Sequence, residues 1–189
     1  PKLVEKFDKM KIFMLCSILV VVLSVVMWLI GYSNMWVFIV LCVLRAIPQG
    51  IQGDMLFMFT PDCAEYGKFK TGIEAKGITF AIQTFAVKLA AAISGSMGLA
   101  LLGWFGFKTF DGVDSFEALE AINARAQQTA EAMDGLWFTY NVVPIIGLVI
   151  ALVIWSFYKL NDKDVQIMAK CNSGEITREE AEKLLSRKY

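Results

Sequence analysis

Histidine is missing altogether from this 189-residue chain, so the side chain that most often moves protons near neutral pH is unavailable. The apolar runs also lack a carboxylate cluster, which leaves a membrane enzyme using acid–base or metal chemistry with the least support. Cysteine is sparse: Cys16, Cys42, Cys63 and Cys171 are scattered without metal-ligand spacing. That excludes a disulfide framework and a zinc site and points to free thiols in a reducing compartment. Charge of one sign is lacking too, since 18 Lys and Arg balance 18 Asp and Glu. With no net charge and no basic motif, nothing argues for nucleic acid as a partner. No signal peptide opens the chain; Pro1 stands in a basic stretch that reads as an internal loop, and we expect a fragment of a longer protein.

What is abundant is apolar surface. Hydrophobic residues make up 57% of the chain and mean hydropathy is +0.55, too apolar for an ordinary soluble domain. Four runs, 12–31, 35–60, 77–103 and 136–158, each approach or exceed the ~20 residues that a spanning helix needs. Barrel strands would alternate, whereas Ile18 to Leu23 is continuously apolar. The fold class is therefore all-α, a polytopic membrane protein with four transmembrane helices.

Lys and Arg accumulate on the cytoplasmic side of membrane proteins. Lys2, Lys6, Lys9 and Lys11 precede the first run, Lys68, Lys70 and Lys76 lie between the second and third, and seven basic residues follow the fourth. The opposite loops, 32–34 and 104–135, hold only Lys108 and Arg125 beside six acids, Asp111, Asp114, Glu117, Glu120, Glu131 and Asp134. Residues 1–11, the charged loop 61–76 and the tail 159–189 are thus expected in the cytoplasm of a cell-membrane protein, with both ends inside.

Lys88 is the most informative single residue. It sits about midway along 77–103, where a cation costs roughly 2.5–3.5 kcal/mol, so it should face a bundle interior, a carboxylate or a water-filled cavity. Gly77, Ala81, Thr84, Lys88, Ala91, Gly95 and Gly98 recur every three or four residues and form one stripe, small enough at most positions for close helix packing. Thr84 lies one turn before Lys88 with Gln83 adjacent, which makes the mid-depth section polar. The second run carries Arg45 near mid-depth, then Pro48, Gly50, Gly53 and Asp54, predicting a helix broken near 48–53. Arg45 either binds a neighbouring helix or snorkels, or else lines a cavity. Nine positions at about 100° each put Arg45 and Asp54 on opposite faces, so they are poor partners. Asp54 is the only acid within the four runs, which leaves Lys88 short of a counter-charge here and calls for a carboxylate on other helices or an anionic ligand.

Asp62, Glu65, Lys68, Lys70, Glu74 and Lys76 mix signs at close range in 61–76, as solvated interface charge or as ion pairs that form in one conformation and separate in another. Phe116, Leu119 and Ile122 predict a short surface helix in the loop before the fourth run. In the tail, a helix over 164–171, a turn at Asn172 and a capping box at Thr177–Glu180 opening a final helix are expected; a solvated tail is the plain reading of its role.

The run Pro61-Asp-Cys-Ala-Glu-Tyr-Gly-Lys-Phe-Lys-Thr-Gly, followed by Gly77-Ile-Thr-Phe-Ala-Ile-Gln-Thr-Phe-Ala-Val-Lys88, closely resembles the glycoside-pentoside-hexuronide:cation symporters, the melibiose permease group of the major facilitator superfamily. The resemblance covers essentially the whole chain. It implies a twelve-helix fold of which these are the last four helices, in agreement with the orientation above. It further implies that Lys88 and Thr84, with Gln83 and Val87 beside them, belong to the sugar and cation region. Asp62 and Glu65, with Lys70 as matching base, would belong to a cytoplasmic gate. Lys68 stands where the permease has an acid and Glu74 where it has a base, so the pairing is open to rewiring. Arg45 and Asp54, placed beside the cavity by their depth alone, have no assigned counterpart in the family. The principal sugar- and cation-binding carboxylates of such symporters lie in the N-terminal half. The implied function is the C-terminal part of a secondary active sugar or glycoside symporter coupled to Na⁺ or H⁺, with the bilayer and the N-terminal eight helices as partners, no cofactor, and no metal site in this stretch. The alternative from the residues alone is a self-contained four-helix membrane scaffold or regulatory subunit.

Overall fold

A computed structural model describes residues 8–110, 115–123 and 127–189. Lys2 and Lys6 of the opening segment, and Asp111, Asp114 and Arg125 of the loop before the fourth run, lie outside the described residues. The described part is all-α, with seven helices and no strand: α1 Lys9–Ile30, α2 Met35–Thr71, α3 Lys76–Trp104, α4 Phe116–Ala121, α5 Ala130–Trp155, α6 Asp162–Ser173 and α7 Arg178–Leu184. Four of them, α1, α2, α3 and α5, are long and apolar enough to cross a membrane.

The helix ends follow local chemistry. Asp8 caps α1 by accepting from the Met10 N–H, and Asn34 caps α2 by accepting from Trp36 and Val37. Gly72, at φ 73°, closes α2 in the left-handed conformation that glycine takes most readily, and its N–H returns to the Lys68 carbonyl. Thr129 caps α5, so that helix starts at Ala130, six residues before the expected apolar boundary at Leu136. A cap and Glu131 in the first turn suffice to nucleate helix ahead of the expected apolar run. Thr177 and Glu180 form the predicted capping box of α7, and α4 falls where the Phe116 pattern placed a surface helix.

Two expectations fail in α2. It runs unbroken through Pro48 and Pro61 for 37 residues, so there is no break at 48–53, and residues 61–71 are helix rather than loop. Each proline deletes one backbone bond, whereas a true break in hydrocarbon would leave several donors and acceptors unsatisfied at several kcal/mol apiece. Beyond the apolar stretch, Phe59, Asp62, Tyr66 and Phe69 continue a three-four spacing whose face finds a partner in α6, and Lys68 and Lys70 suit the C-terminal end of the helix dipole.

α1 is the central strut, packed against both α2 and α5. Its buried face carries Phe13, Ser17, Val20, Ser24 and Met27, and the two serines let neighbouring backbones approach. Phe13, Met55 and Phe59 form one core cluster with Trp155 and Tyr158 around them; the Phe13 and Phe59 rings meet edge to face at 5.5 Å. A second cluster, Phe69, Met168 and Ala181, joins the end of α2 to α6 and α7. By contrast α3, in contact with α2 and α5, buries none of its residues.

Candidate functional site

Lys88 and Thr84 lie on a bare face of α3. Gln83 reaches α2, donating from Nε2 to the Leu56 carbonyl at 3.4 Å. Five positions further on, Lys88 is turned about 140° from that contact, while Thr84 and Lys88 are only about 40° apart. Both are exposed, as is Val87, and Lys88 has no hydrogen bond or ion pair to a described residue. The Thr84 hydroxyl bonds back to the Phe80 carbonyl at 2.9 Å. The small residues of the stripe are equally uncovered: a Cβ at Gly77, Gly95 or Gly98 would meet nothing within 4 Å. The close packing expected along this stripe is therefore not made by the described residues.

Arg45 points the other way, into a cleft of about 580 Å³ between α1, α2 and α5 that Ser24, Gln49, Gln52 and Thr139 also line. Its Nη2 donates to the Tyr140 hydroxyl at 2.7 Å, and its guanidinium carbon lies 4.8 Å from that ring's centroid. A longer contact, 3.5 Å, runs from Nη1 to the Ser24 hydroxyl. Of the two readings open for Arg45, binding to neighbouring helices and cavity lining, the geometry combines both. Asp54 is exposed, on a different face, and has no ion pair to a described residue.

The charged side chains expected between the second and third runs form two linked clusters. Asp62 accepts from the Lys9 ammonium at 2.6 Å, and that ammonium also lies 3.3 Å from Asp162. The Lys9 backbone N–H bonds to Asp162 at 2.8 Å, so α1, α2 and α6 are tied at one point. Three residues along α2, Glu65 takes the Lys76 ammonium of α3 at 2.7 Å and the Asn172 amide of α6 at 2.8 Å. The Lys68 ammonium and Glu74 pair at 3.0 Å, an arrangement that keeps Glu74 below the usual carboxylate range, first through that hydrogen bond and then through the nearby ammonium charge. Lys70 departs from expectation. It donates to the Tyr66 hydroxyl at 3.3 Å and pairs with neither acid. Once 61–71 is helical, Glu65 and Lys70 stand about 140° apart and cannot meet.

The structure thus separates the residues grouped by sequence. Gln83 is on α2's side of α3, Lys88 and Thr84 face away, Arg45 opens to another cleft, and Asp62 and Glu65 belong to a charged cluster at the far end of α2. Sequence reasoning missed Lys9, Asp162, Lys76 and Asn172 as partners of these acids, and Tyr140 and Ser24 as partners of Arg45. Lys9 entered only the orientation count, Lys76 stood in the mixed-sign run without an assigned partner, and nothing local marks Asn172.

The family model described as MFS/sugar transport protein matches residues 1–162. The chain is 25% identical over 170 residues to an uncharacterized symporter, YnaJ, of Bacillus subtilis, an alignment covering 90% of this chain and 34% of that one. It is 26% identical over 163 residues to a glucuronide carrier protein homolog of Escherichia coli, covering 86% and 32%. Against an isoprimeverose transporter of Lactiplantibacillus pentosus it is 22% identical over 172 residues, covering 89% and 32%. The chain spans about a third of the length of these relatives. No solved structure matches it.

Proposed function

Because the chain belongs to the MFS/sugar transport protein family, we propose that it forms the last four helices of a secondary active symporter that moves a sugar or glycoside with Na⁺ or H⁺ by alternating access. The bundle crosses the cell membrane with the α6–α7 end in the cytoplasm. Helix α3 lines the central cavity, and the eight remaining helices of the transporter cover its bare face.

The observation that carries this reading is Lys88. An ammonium group at mid-depth, unpaired within the described residues and sharing a face with Thr84, needs a carboxylate from elsewhere, an anionic ligand or water. A cavity shared with the central carboxylates of such a symporter supplies all three. Occupancy of those carboxylates by the coupling ion then changes the field at Lys88, and the sugar, binding one state better than the other, shifts the equilibrium between inward-open and outward-open forms. No covalent step is involved. Asp62 and Glu65 act at the other end as the cytoplasmic gate, with Lys9 and Lys76 as their bases. Asp54, Gln83 and Val87 line or support the cavity, whereas Arg45 holds α2 to α5 behind it.

The test is uptake by the full-length protein from a panel of neutral and acidic sugars, with Na⁺ and pH varied independently. Lys88→Ala should abolish cation-coupled uptake while membrane insertion is retained. Coupled uptake at the unmodified rate in that variant would remove Lys88 from the mechanism.

A further inference from the structure

The tail carries a second concave site, well away from α3. A pocket of about 420 Å³ opens between the end of α2 and residues 178–189, and Lys70, Arg178, Arg187 and Lys188 all line it against one acidic side chain, Glu182. That carboxylate is already paired with Arg178 at 3.2 Å, in an exposed i,i+4 pair of the kind that contributes little and is easily displaced. Lys70 rests on a neutral hydroxyl, that of Tyr66, and neither Arg187 nor Lys188 has an ion pair to a described residue. Three of the four basic side chains around one opening are thus without an ion pair to a described residue, in a volume of small-molecule size.

Arg178 and the backbone that carries Arg187 and Lys188 are held in place. The Arg178 guanidinium stacks 5.0 Å over the Phe69 ring, which is itself buried. Arg187 and Lys188 lie between two residues tied to one carboxylate. Asp164 accepts the Ser186 N–H at 2.9 Å and its hydroxyl at 2.5 Å, and it takes the Tyr189 hydroxyl at 2.7 Å. A free basic tail would lose side-chain and backbone entropy on gripping an anion; here much of that ordering is already done.

We propose that this pocket binds a small soluble phosphate monoester, with Arg187 and Lys188 on the phosphate oxygens and Lys70 and Arg178 closing the opposite wall. Guanidinium and ammonium groups lining one pocket are the usual recognition chemistry for such a dianion. Height favours a soluble ligand over a lipid headgroup. The 37 residues of α2 run ~55 Å, against about 40–45 Å for a bilayer including its headgroups. Lys70, one residue from the helix end, therefore projects into water. The proposal rests on the transport reading only for the side of the membrane on which the pocket opens.

The experiment is titration calorimetry on the full-length protein in phosphatidylcholine nanodiscs, with inorganic phosphate, glucose 6-phosphate and glucose as probes at fixed ionic strength. Saturable binding of glucose 6-phosphate is expected, weakened ~tenfold or more in Arg187→Gln/Lys188→Gln, whereas any heat from glucose belongs to the sugar site and is the same in those variants. Ser186→Ala/Tyr189→Phe keeps every charge and removes the tethers; it should weaken binding several-fold. Lys70→Gln, on the stable end of α2, serves where a tail variant unfolds. No saturable binding to either phosphate probe, equal affinity in all variants, or a response only when the discs contain phosphatidylglycerol would overturn the site. Sugar uptake by the same purified protein reconstituted in proteoliposomes keeps the two readings apart: uptake without phosphate binding sinks this proposal alone.

Discussion

Arg45 shows what a charge at mid-depth needs from its neighbours. It has no carboxylate among the described residues, and Asp54, nine positions on, faces away. Tyr140 supplies a hydroxyl at 2.7 Å and a ring face at 4.8 Å, an amphipathic partner that solvates the guanidinium without adding a second buried charge. Depth explains the match. Met35 and Ala130 begin their helices at the same end, and Arg45 and Tyr140 each lie ten residues in. Counted from the apolar boundary at Leu136, Tyr140 stands four residues in, where a tyrosine reads as an ordinary belt residue; counted from the Thr129 cap, it stands level with Arg45. Thermal unfolding in detergent of Arg45→Gln, Tyr140→Phe and the double variant should reveal a coupling of ~1–2 kcal/mol, since a charged hydrogen bond and a cation–π contact are lost together. Strict additivity would mean that water solvates Arg45 instead.

At the scale of elements, periodicity and length located all four long helices, because hydrocarbon leaves a continuous apolar segment no alternative to helix. What they missed was the continuation of α2 beyond the apolar run, through residues 61–71. Residues 61–71 are dense in charge, and charge reads as loop unless the Phe59, Asp62, Tyr66 and Phe69 spacing is noticed. The α6–α7 unit that docks there depends on Asp164. Burial alone would raise this carboxyl, but the hydrogen bonds from the Ser186 hydroxyl and N–H, the Tyr189 hydroxyl and Asn161 outweigh it and hold the pKa below its ordinary value. Burial and the same bond push the Tyr189 phenol up to about 12. A depressed folded pKa contributes stability that is complete above the unfolded value, about 3.9, and is lost as pH falls through the folded one. Hydrogen exchange over 161–189 should therefore be flat from pH 7 to 5, after correction for intrinsic rates, and show opening below about pH 4. Asp164→Ala should exchange ~tenfold faster at pH 7 and lose the acid transition; an acid transition of unchanged size in that variant would assign it to another carboxylate.

For the whole molecule, the consequence lies in how α2 is held at its charged end. Asp62 and Glu65, three residues apart, tie it to different elements: one through Lys9 to α1 and Asp162, the other through Lys76 to α3 and through Asn172 to α6. The acids were legible as a motif, and Lys76 lay in the same mixed-sign run, but Lys9 and Asn172 were not legible as partners, because residues more than fifty positions away leave no local spacing to read. The pairs also differ in what they can do. The Lys9 and Asp62 side chains are only 13% and 10% exposed, whereas Glu74 of the Lys68 pair is 59% exposed. Removing one member of a largely buried pair strands the other and costs on the order of 3 kcal/mol, while a solvated pair costs little. If the Lys9–Asp62 pair exists only in the state closed at this end, a change of that size moves the inward–outward equilibrium by roughly a hundredfold. Lys9→Asp and Asp62→Lys should each cut sugar uptake by the full-length protein more than tenfold and leave the charged end open to thiol labelling at Cys63. The double swap restores the pair with reversed sign and should recover much of both, whereas exchanging Lys68 and Glu74 should leave uptake within about twofold of the unmodified protein. Failure of the double swap to recover either readout, with both proteins inserted at equal levels, would show that these side chains do something other than pair, and the gate would have to be sought at Glu65, Lys76 and Asn172 alone.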